Sequence, residues 1–410
     1  MTSLDTSLAV PGAHLPAAAR LLFALLERMD AGRVELTGPG GIKRFFGPGG
    51  APAPGTKSAP AVLRFSDWDV AAEALRGGDV AFAEAYIAGR WDTPDLPQLL
   101  TVLAANQQAL ERAFYGRWWT RALLRFKHWL NANSRRQARR NIVAHYDLGN
   151  AFYAQWLDPT MTYSSALFDG DFARPLRAAQ QAKYDRMLGE LALPAESRVL
   201  EIGCGWGGFA ETAARSGHHV TGISLSDAQT AWAKQRLAAA GHAQRSDLRL
   251  QDYRDLRGRY DGIVSIEMFE AVGERYWPTY FRAVRDALEP GARACIQTIT
   301  IADDRFERYR TQSDFIQQHI FPGGMLASPA RFAAIATAAG LRLERVHSFG
   351  RDYAETLRRW LAAFDAAAPA IRTQGFDEKF IRCWRFYLAY CAAGFDTGTT
   401  DVAQYTFSHG

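Results

Sequence analysis

Cysteine is scarce. The 410 residues hold four, Cys204, Cys295, Cys383 and Cys391, and no two form a C-x-x-C pair. This spacing supports neither a zinc knuckle nor a disulfide framework, so a reducing cytoplasm is expected. No apolar run reaches the roughly 18 residues that a membrane-spanning helix needs. The opening "MTSLDTSLAVPGAH" has no basic leader and no long apolar core, so no signal peptide is expected. Internal repeats are absent, and the only biased tract is the Gly/Pro stretch over 48–55.

The remainder has a globular composition, 48% hydrophobic and 22% charged. The length is more than one core requires and suits two domains. The net charge of +5 is mild but unevenly spread. Nine basic residues lie between Arg112 and Arg140 with no acid among them, interleaved with Trp118, Trp119, Phe126 and Trp129. Such a stretch suits an anionic membrane surface, with rings at the interface and cations at phosphates. A solvated basic helix is the plainer reading. No motif supports a nucleic-acid partner.

Periodicity separates three regions. Residues 1–115 mix short apolar pieces with turn residues and then helical patterns, giving a small α/β domain. Ser66 or Asp67 suits the start of one helix, Gly77-Gly78 its end, and Asp95 the start of another. Residues 116–140 read as a basic linker helix. From 141 to 410, strands alternate with helices, which implies a parallel, doubly wound sheet. The fold class is therefore α/β: a Rossmann-like domain preceded by a small α/β domain. Ligands of such sheets sit beyond the carboxyl ends of the strands.

"VLEIGCGWGGFA" is a strand, a glycine turn and a helix start. A dinucleotide enzyme wants G-x-G-x-x-G and an acid on the next strand for the ribose. Here the spacing is Glu201, Gly203, Gly205, Gly207, with Cys204 inside the turn, and the next strand ends in Ser224. That pattern fits S-adenosylmethionine better, because it has no pyrophosphate to cradle. In "LQDYRDL", Asp252 is placed to accept from an adenine amino group and Tyr253 to pack on the base. "SIEMFEAVG" sets two carboxylates, Glu267 and Glu270, in an apolar setting where burial is costly.

Six segments then occur in one order: "AHYDLGNAFYAQWLDPTMTYSSALF", the glycine turn, "LQDYRDL", "SIEMFEAVG", "FIQQHIFPGGML" and "FGRDYAETLRRW". Together they resemble the cyclopropane-fatty-acyl-phospholipid synthases and the related mycolic-acid methyltransferases. The resemblance implies an S-adenosylmethionine-dependent methyltransferase that alkylates the cis double bond of an unsaturated phospholipid acyl chain. It implies a bound bicarbonate that removes a proton as the ring closes. It further implies a peripheral enzyme at the inner face of the membrane, commonly a homodimer.

Carried over by position, Tyr163 and Ser164 match the segment that closes over the cofactor. Ser224 to Gln229 match the stretch after the second strand, and Asp252 and Tyr253 the adenine side. Glu270 matches the glutamate of the bicarbonate site, Tyr353 its tyrosine, and Cys391 a cysteine often assigned as active. An olefin is a weak nucleophile whose cation water would quench, so a dry pocket is needed. Phe168, Trp206, Phe269, Phe315, Phe321 and Tyr353 are the candidates to line it. Two positions depart from the family: Ser165 stands where a cysteine is frequent, and Gln297 where a histidine is. Glutamine bonds an anion but does not titrate. The altered site leaves a methyl-branched or methylene product as an alternative to cyclopropane. His145 and His319 are at other positions and read as structural. Glu267 is given no role in the chemistry.

Overall fold

The computed structural model describes residues 15–48, 55–114 and 148–409. The expected linker helix over 116–140 and His145 lie outside them.

The chain forms two compact units. The first comprises residues 1–120 together with 375–397, and the second residues 121–374 with 398–410. The sequence reading assigned everything after 141 to one domain, and the segment 375–397 departs from that. Its helix, Glu378–Asp396, buries Trp384, Phe386 and Tyr387. Phe386 meets Tyr86 and Trp91 at ring distances of 5.8 and 6.4 Å. Arg382 lies over the Tyr86 ring at 3.9 Å and donates to the Tyr86 and Trp91 carbonyls. These contacts fasten the helix to the first unit by apolar burial and cation–π attraction.

The first unit carries strands β1 (Val34–Gly38), β2 (Ile42–Phe46), β3 (Ala61–Phe65) and β4 (Trp91–Asp92) in the order β2-β1-β3-β4. Asp67 accepts from the Asp69 and Val70 amides at the start of the helix Asp69–Ile87. That helix does not end at the glycine pair but kinks at Gly78, which takes a φ of 65° that disfavours side chains. Asp95 caps the helix Leu96–Ala105 through the Gln98 amide.

The second unit is a seven-stranded sheet. Its strands are β5 (Arg198–Ile202), β6 (His219–Ser224), β7 (Ser246–Leu250), β8 (Tyr260–Ile266), β9 (Leu288–Ile301), β10 (Leu341–Ser348) and β11 (Thr400–His409), ordered β10-β11-β9-β8-β5-β6-β7. The strands β5 to β9 pair in parallel, while β11 enters antiparallel between β9 and β10. This is the expected Rossmann-like sheet, extended by two strands whose pairing the sequence did not announce.

Apolar faces on both sides close the core. On one side Phe269 stacks on Trp277 at 5.4 Å and meets Phe332 edge-on at 4.9 Å. Burying such a ring contributes about 1.5–3 kcal/mol. Phe269 therefore anchors the turn after β8, and its neighbours Glu267 and Glu270 are held at the strand's carboxyl end.

Candidate active site

The glycine turn follows β5, and all three of its glycines have left-handed φ: 86° at Gly203, 49° at Gly205 and 81° at Gly207. A Cβ at Gly203 would strike Met268, and one at Gly207 would strike Ala233. At Gly205 it would enter open space, so the backbone there is bare toward the cleft. Cys204 is buried, and burial raises its thiol pKa. Its side chain packs against Gly222 of β6. Glu201 is 3% exposed, and its Oε2 finds no hydrogen-bond partner among the described residues. Burial pushes this carboxyl well above the usual range, against the pull of the Ala210 amide and the Arg236 and Lys183 charges. Such an orphaned acceptor beside bare glycine backbone fits a cationic, amino-bearing ligand, and S-adenosylmethionine meets that description.

The far side of this cleft is built as follows. Ser224 Oγ donates to Gln229 Oε1 and accepts from the Ser226 amide, fixing the start of the helix Asp227–Ala239. Arg254 grips both oxygens of Asp252, at 2.8 and 2.6 Å. Tyr253 is 9% exposed and packs edge-on against Tyr280 at 5.5 Å. Asp252 thus belongs to an ion pair, and Tyr253 to the core's edge.

Tyr163 packs among Trp156, Tyr153 and Trp360, at ring distances of 5.7, 5.4 and 5.3 Å. Tyr153 reaches Trp206 of the glycine turn at 5.2 Å, and Trp360 reaches Tyr353 at 6.2 Å. Ser164 Oγ accepts from the fully buried Lys183 at 2.5 Å. Ser165 directs its own hydroxyl to the Ala166 carbonyl, while its amide faces the cleft. Asp352 accepts from the Phe168 and Asp169 amides and Thr356 from Ala166, so three residues of the 165–169 strap are pinned by the helix Gly350–Thr373.

At the centre stands Glu267. Its Oε1 accepts from the Ser165 amide at 2.8 Å and from Gln297 Nε2 at 2.7 Å, and its Oε2 from the Tyr353 hydroxyl at 2.6 Å. Its own amide donates to the Gln297 carbonyl. Its φ is 48°, a left-handed conformation that favours glycine. Strain of this kind persists where surrounding bonds over-determine it and gathers at working sites. Burial raises the Glu267 carboxyl, while the Lys183 charge and the three donors pull it back. Lys183 is itself lowered to about 7 by burial, against Glu267, Asp158 and Glu201.

Glu270 is engaged differently. Its Oε1 accepts from Thr298 Oγ1 at 2.9 Å and the Ile299 amide at 2.6 Å, and its Oε2 has no partner among the described residues. Burial, and then the neighbouring Glu267 charge, push it up to about 7.

The sequence reading is thereby amended. Tyr353 and Gln297 converge on Glu267 and not around a site held by Glu270. The donors expected to bind bicarbonate are engaged by a resident carboxylate with a second carboxylate beside it, so the residues present do not fit that anion. Phe269 lies in the core and Phe168 under Arg359, so neither lines the cleft as expected. Cys391 stands on the helix Glu378–Asp396 of the first unit. Glu267, given no role in the sequence reading, is the residue these bonds converge on, and Lys183 was not singled out there at all. The one available signal was that Glu267 follows a buried strand directly, where a turn residue is usual.

A family model described as mycolic acid cyclopropane synthetase matches residues 133–405. Tuberculostearic acid methyltransferase UfaA1 of Mycobacterium tuberculosis is 39% identical over 406 residues, covering 97% of this chain and 93% of the relative. Cyclopropane-fatty-acyl-phospholipid synthase of Escherichia coli K12 is 34% identical over 355 residues, covering 86% and 89%. The crystal structure of mycolic acid cyclopropane synthase CmaA1, complexed with SAH and CTAB, superposes with a TM-score of 0.61 at 32% identity, covering 66% of this chain and 97% of that one. The chain belongs to the mycolic acid cyclopropane synthetase family and is an S-adenosylmethionine-dependent methyltransferase.

Proposed function

We propose that this methyltransferase alkylates a double bond in a phospholipid acyl chain and that Glu267 takes the proton that ends the reaction. The observation that carries the reading is the Glu267 carboxylate, built into the position where the resemblance implies a free anion. Bound S-adenosylmethionine supplies an electrophilic methyl group. When the olefin takes it up, one carbon gains the new bond and its neighbour is left positive. Tyr163, Trp156 and Trp360 wall off water, which would otherwise quench that charge. Glu267 and the ring faces stabilise it electrostatically. A carboxylate raised by burial is a stronger base than one in water, and general-base assistance is commonly worth about 10²–10⁴-fold.

The product follows from which electron pair fills the positive carbon. A hydride shift onto the positive carbon, then loss of a proton from the new methyl to Glu267, gives a methylene branch. A saturated methyl branch would need a reductant as well. We favour the methylene product, because the base is fixed and Gln297 does not titrate. The 39% identity to a relative named as a methyltransferase supports this. Cyclopropane formation, in which the same proton leaves as the ring closes, is the second reading. It is favoured by the family match and by the synthase relative. The basic, aromatic-rich stretch from Arg112 to Arg140 supports action at an anionic membrane surface. Among the described residues no helix is long and apolar enough to cross a membrane.

The test is incubation with methyl-labelled S-adenosylmethionine and dioleoyl phosphatidylglycerol vesicles in carbonate-free buffer. Mass spectrometry of the acyl chains follows. Proton NMR then separates vinylidene from high-field ring signals, since the two products have equal mass. Label in the chain is expected without added bicarbonate. Unlabelled chains would sink the reading, and an absolute need for bicarbonate would remove Glu267 from the base's role.

A further inference from the structure

Behind Glu267 runs a line of buried side chains whose donors all point one way. Gln297 on β9 is 0% exposed and Gln404 on β11 is 1% exposed. The two are directly paired across the antiparallel strands. Gln404 Nε2 donates to Gln297 Oε1 at 3.0 Å, and Arg186, from the helix Leu176–Leu191, donates to Gln404 Oε1 at 2.5 Å. An amide side chain can turn over and exchange its oxygen for its nitrogen. Arginine cannot, because it has donors and no acceptor. With a guanidinium at the far end, Gln404 must present oxygen to it and nitrogen to Gln297. Gln297 must then present oxygen backward and nitrogen forward, to Glu267.

We propose that Arg186 is a positioning residue for the reaction, setting the direction of the Gln404–Gln297 amide chain so that Glu267 always meets an N–H donor. The inference rests on Glu267 being the base. On this reading the non-titrating Gln297 holds the carboxylate in one rotamer and favours its ionised form. Arg186 is kept in place by Glu190 at 3.3 Å, which also takes bonds from Arg345 and Thr406. The other charged or titratable groups facing this line are Lys183, Tyr353 and Glu270 around Glu267, and His347 and Cys295 around Arg186. None of them touches the amide pair as a donor to Gln404 Oε1 in the described hydrogen bonds.

The informative variant is Gln404→Glu, nearly equal in shape. It keeps, and strengthens, the bond to Arg186, so a purely structural role predicts no loss. Its second oxygen accepts only, so Gln297 must turn to donate to it and set a carbonyl against Glu267. The ionised carboxylate is then disfavoured. The acid limb of the kcat/KM–pH profile is expected to rise by about one unit, tenfold in activity below it. Arg186→Met should shift it likewise, and Arg186→Lys, which again only donates, should restore it. An infrared pH titration of the cofactor-free protein, with the Glu267 carboxyl band identified by its loss in Glu267→Gln, should show the same shift. Unmoved limbs and bands in Gln404→Glu would overturn the relay even if Arg186→Met failed to fold. Full activity in Glu267→Gln would instead overturn the assignment of the base, and the two failures are distinct.

Discussion

The Tyr353 hydroxyl donates to Glu267 Oε2 at 2.6 Å, on the side opposite the Ser165 amide and the Gln297 side chain. Both carboxylate oxygens are thereby held, and the free lone pairs face the remaining direction. Glu267→Gln should lose methyl transfer about a hundredfold or more. Its S-adenosylmethionine affinity should change only a few-fold. Glu270→Gln, whose carboxylate is turned to Thr298 and Ile299, should lose less than about tenfold. Label-transfer assays and calorimetric titration on both variants decide the matter, and equal losses would remove the distinction drawn between the two carboxylates.

Glu267→Gly removes the side chain and leaves three donors around a carboxylate-sized space. The backbone there already has a φ of 48°, which glycine adopts freely. The variant should fold and be nearly inactive, and millimolar formate or bicarbonate should restore activity by about tenfold or more through the vacated donors. Rescue by chloride at the same ionic strength would show that the anion is not acting as a base.

Glu270 contributes a pH-dependent instability. Its carboxyl stands at about 7, against an ordinary value of 4.5. Between those limits the folded state binds more protons than the unfolded one, so stability falls as pH rises through that window. The full cost above it is on the order of 3 kcal/mol. Glu270→Gln carries no such charge, so its melting temperature should overtake wild type as pH climbs from 4.5 to 7. Parallel melting curves across the window would contradict the assignment.

Gly205 and Gly207 should separate binding from folding. Gly205→Ala adds a methyl in open space at positive φ. It should cost about 1–2 kcal/mol in backbone strain. It should also weaken S-adenosylmethionine binding about tenfold, by filling the bare face. Gly207→Ala meets Ala233 at 2.9 Å and should damage stability more than affinity. Denaturant melts and cofactor titrations on the pair read both quantities.

The strands β5 to β8, the glycine turn and the helix caps at Asp67 and Asp95 were legible because each rests on spacing within a few residues. Glu267 was not. Its partners Ser165, Gln297 and Tyr353 lie 102, 30 and 86 positions away, and only a left-handed backbone turns its carboxylate toward them. Within "SIEMFEAVG" the one signal is that Glu267 follows the strand directly, and it does not give the direction of either carboxylate. Lys183 and Arg186 carry no signal in the sequence, because burial by distant strands leaves no local mark. The pairing of β11 between β9 and β10 and the attachment of Glu378–Asp396 to the first unit are likewise long-range events.

That attachment bears on how the chain is made. The first unit holds residues 1–120 but takes in 375–397, and the sheet of the second unit is completed by β11 at 400–409. A growing chain therefore holds an unfilled apolar face on the first unit while 121–374 are synthesised, on the order of 10–50 s at about 5–20 residues per second. Over the same interval β9 lacks β11 beside it. Neither unit is complete until the last segments, 375–397 and 398–410, have been made, and a chain cut short of residue 375 would leave both incomplete and exposed to chaperones and proteases.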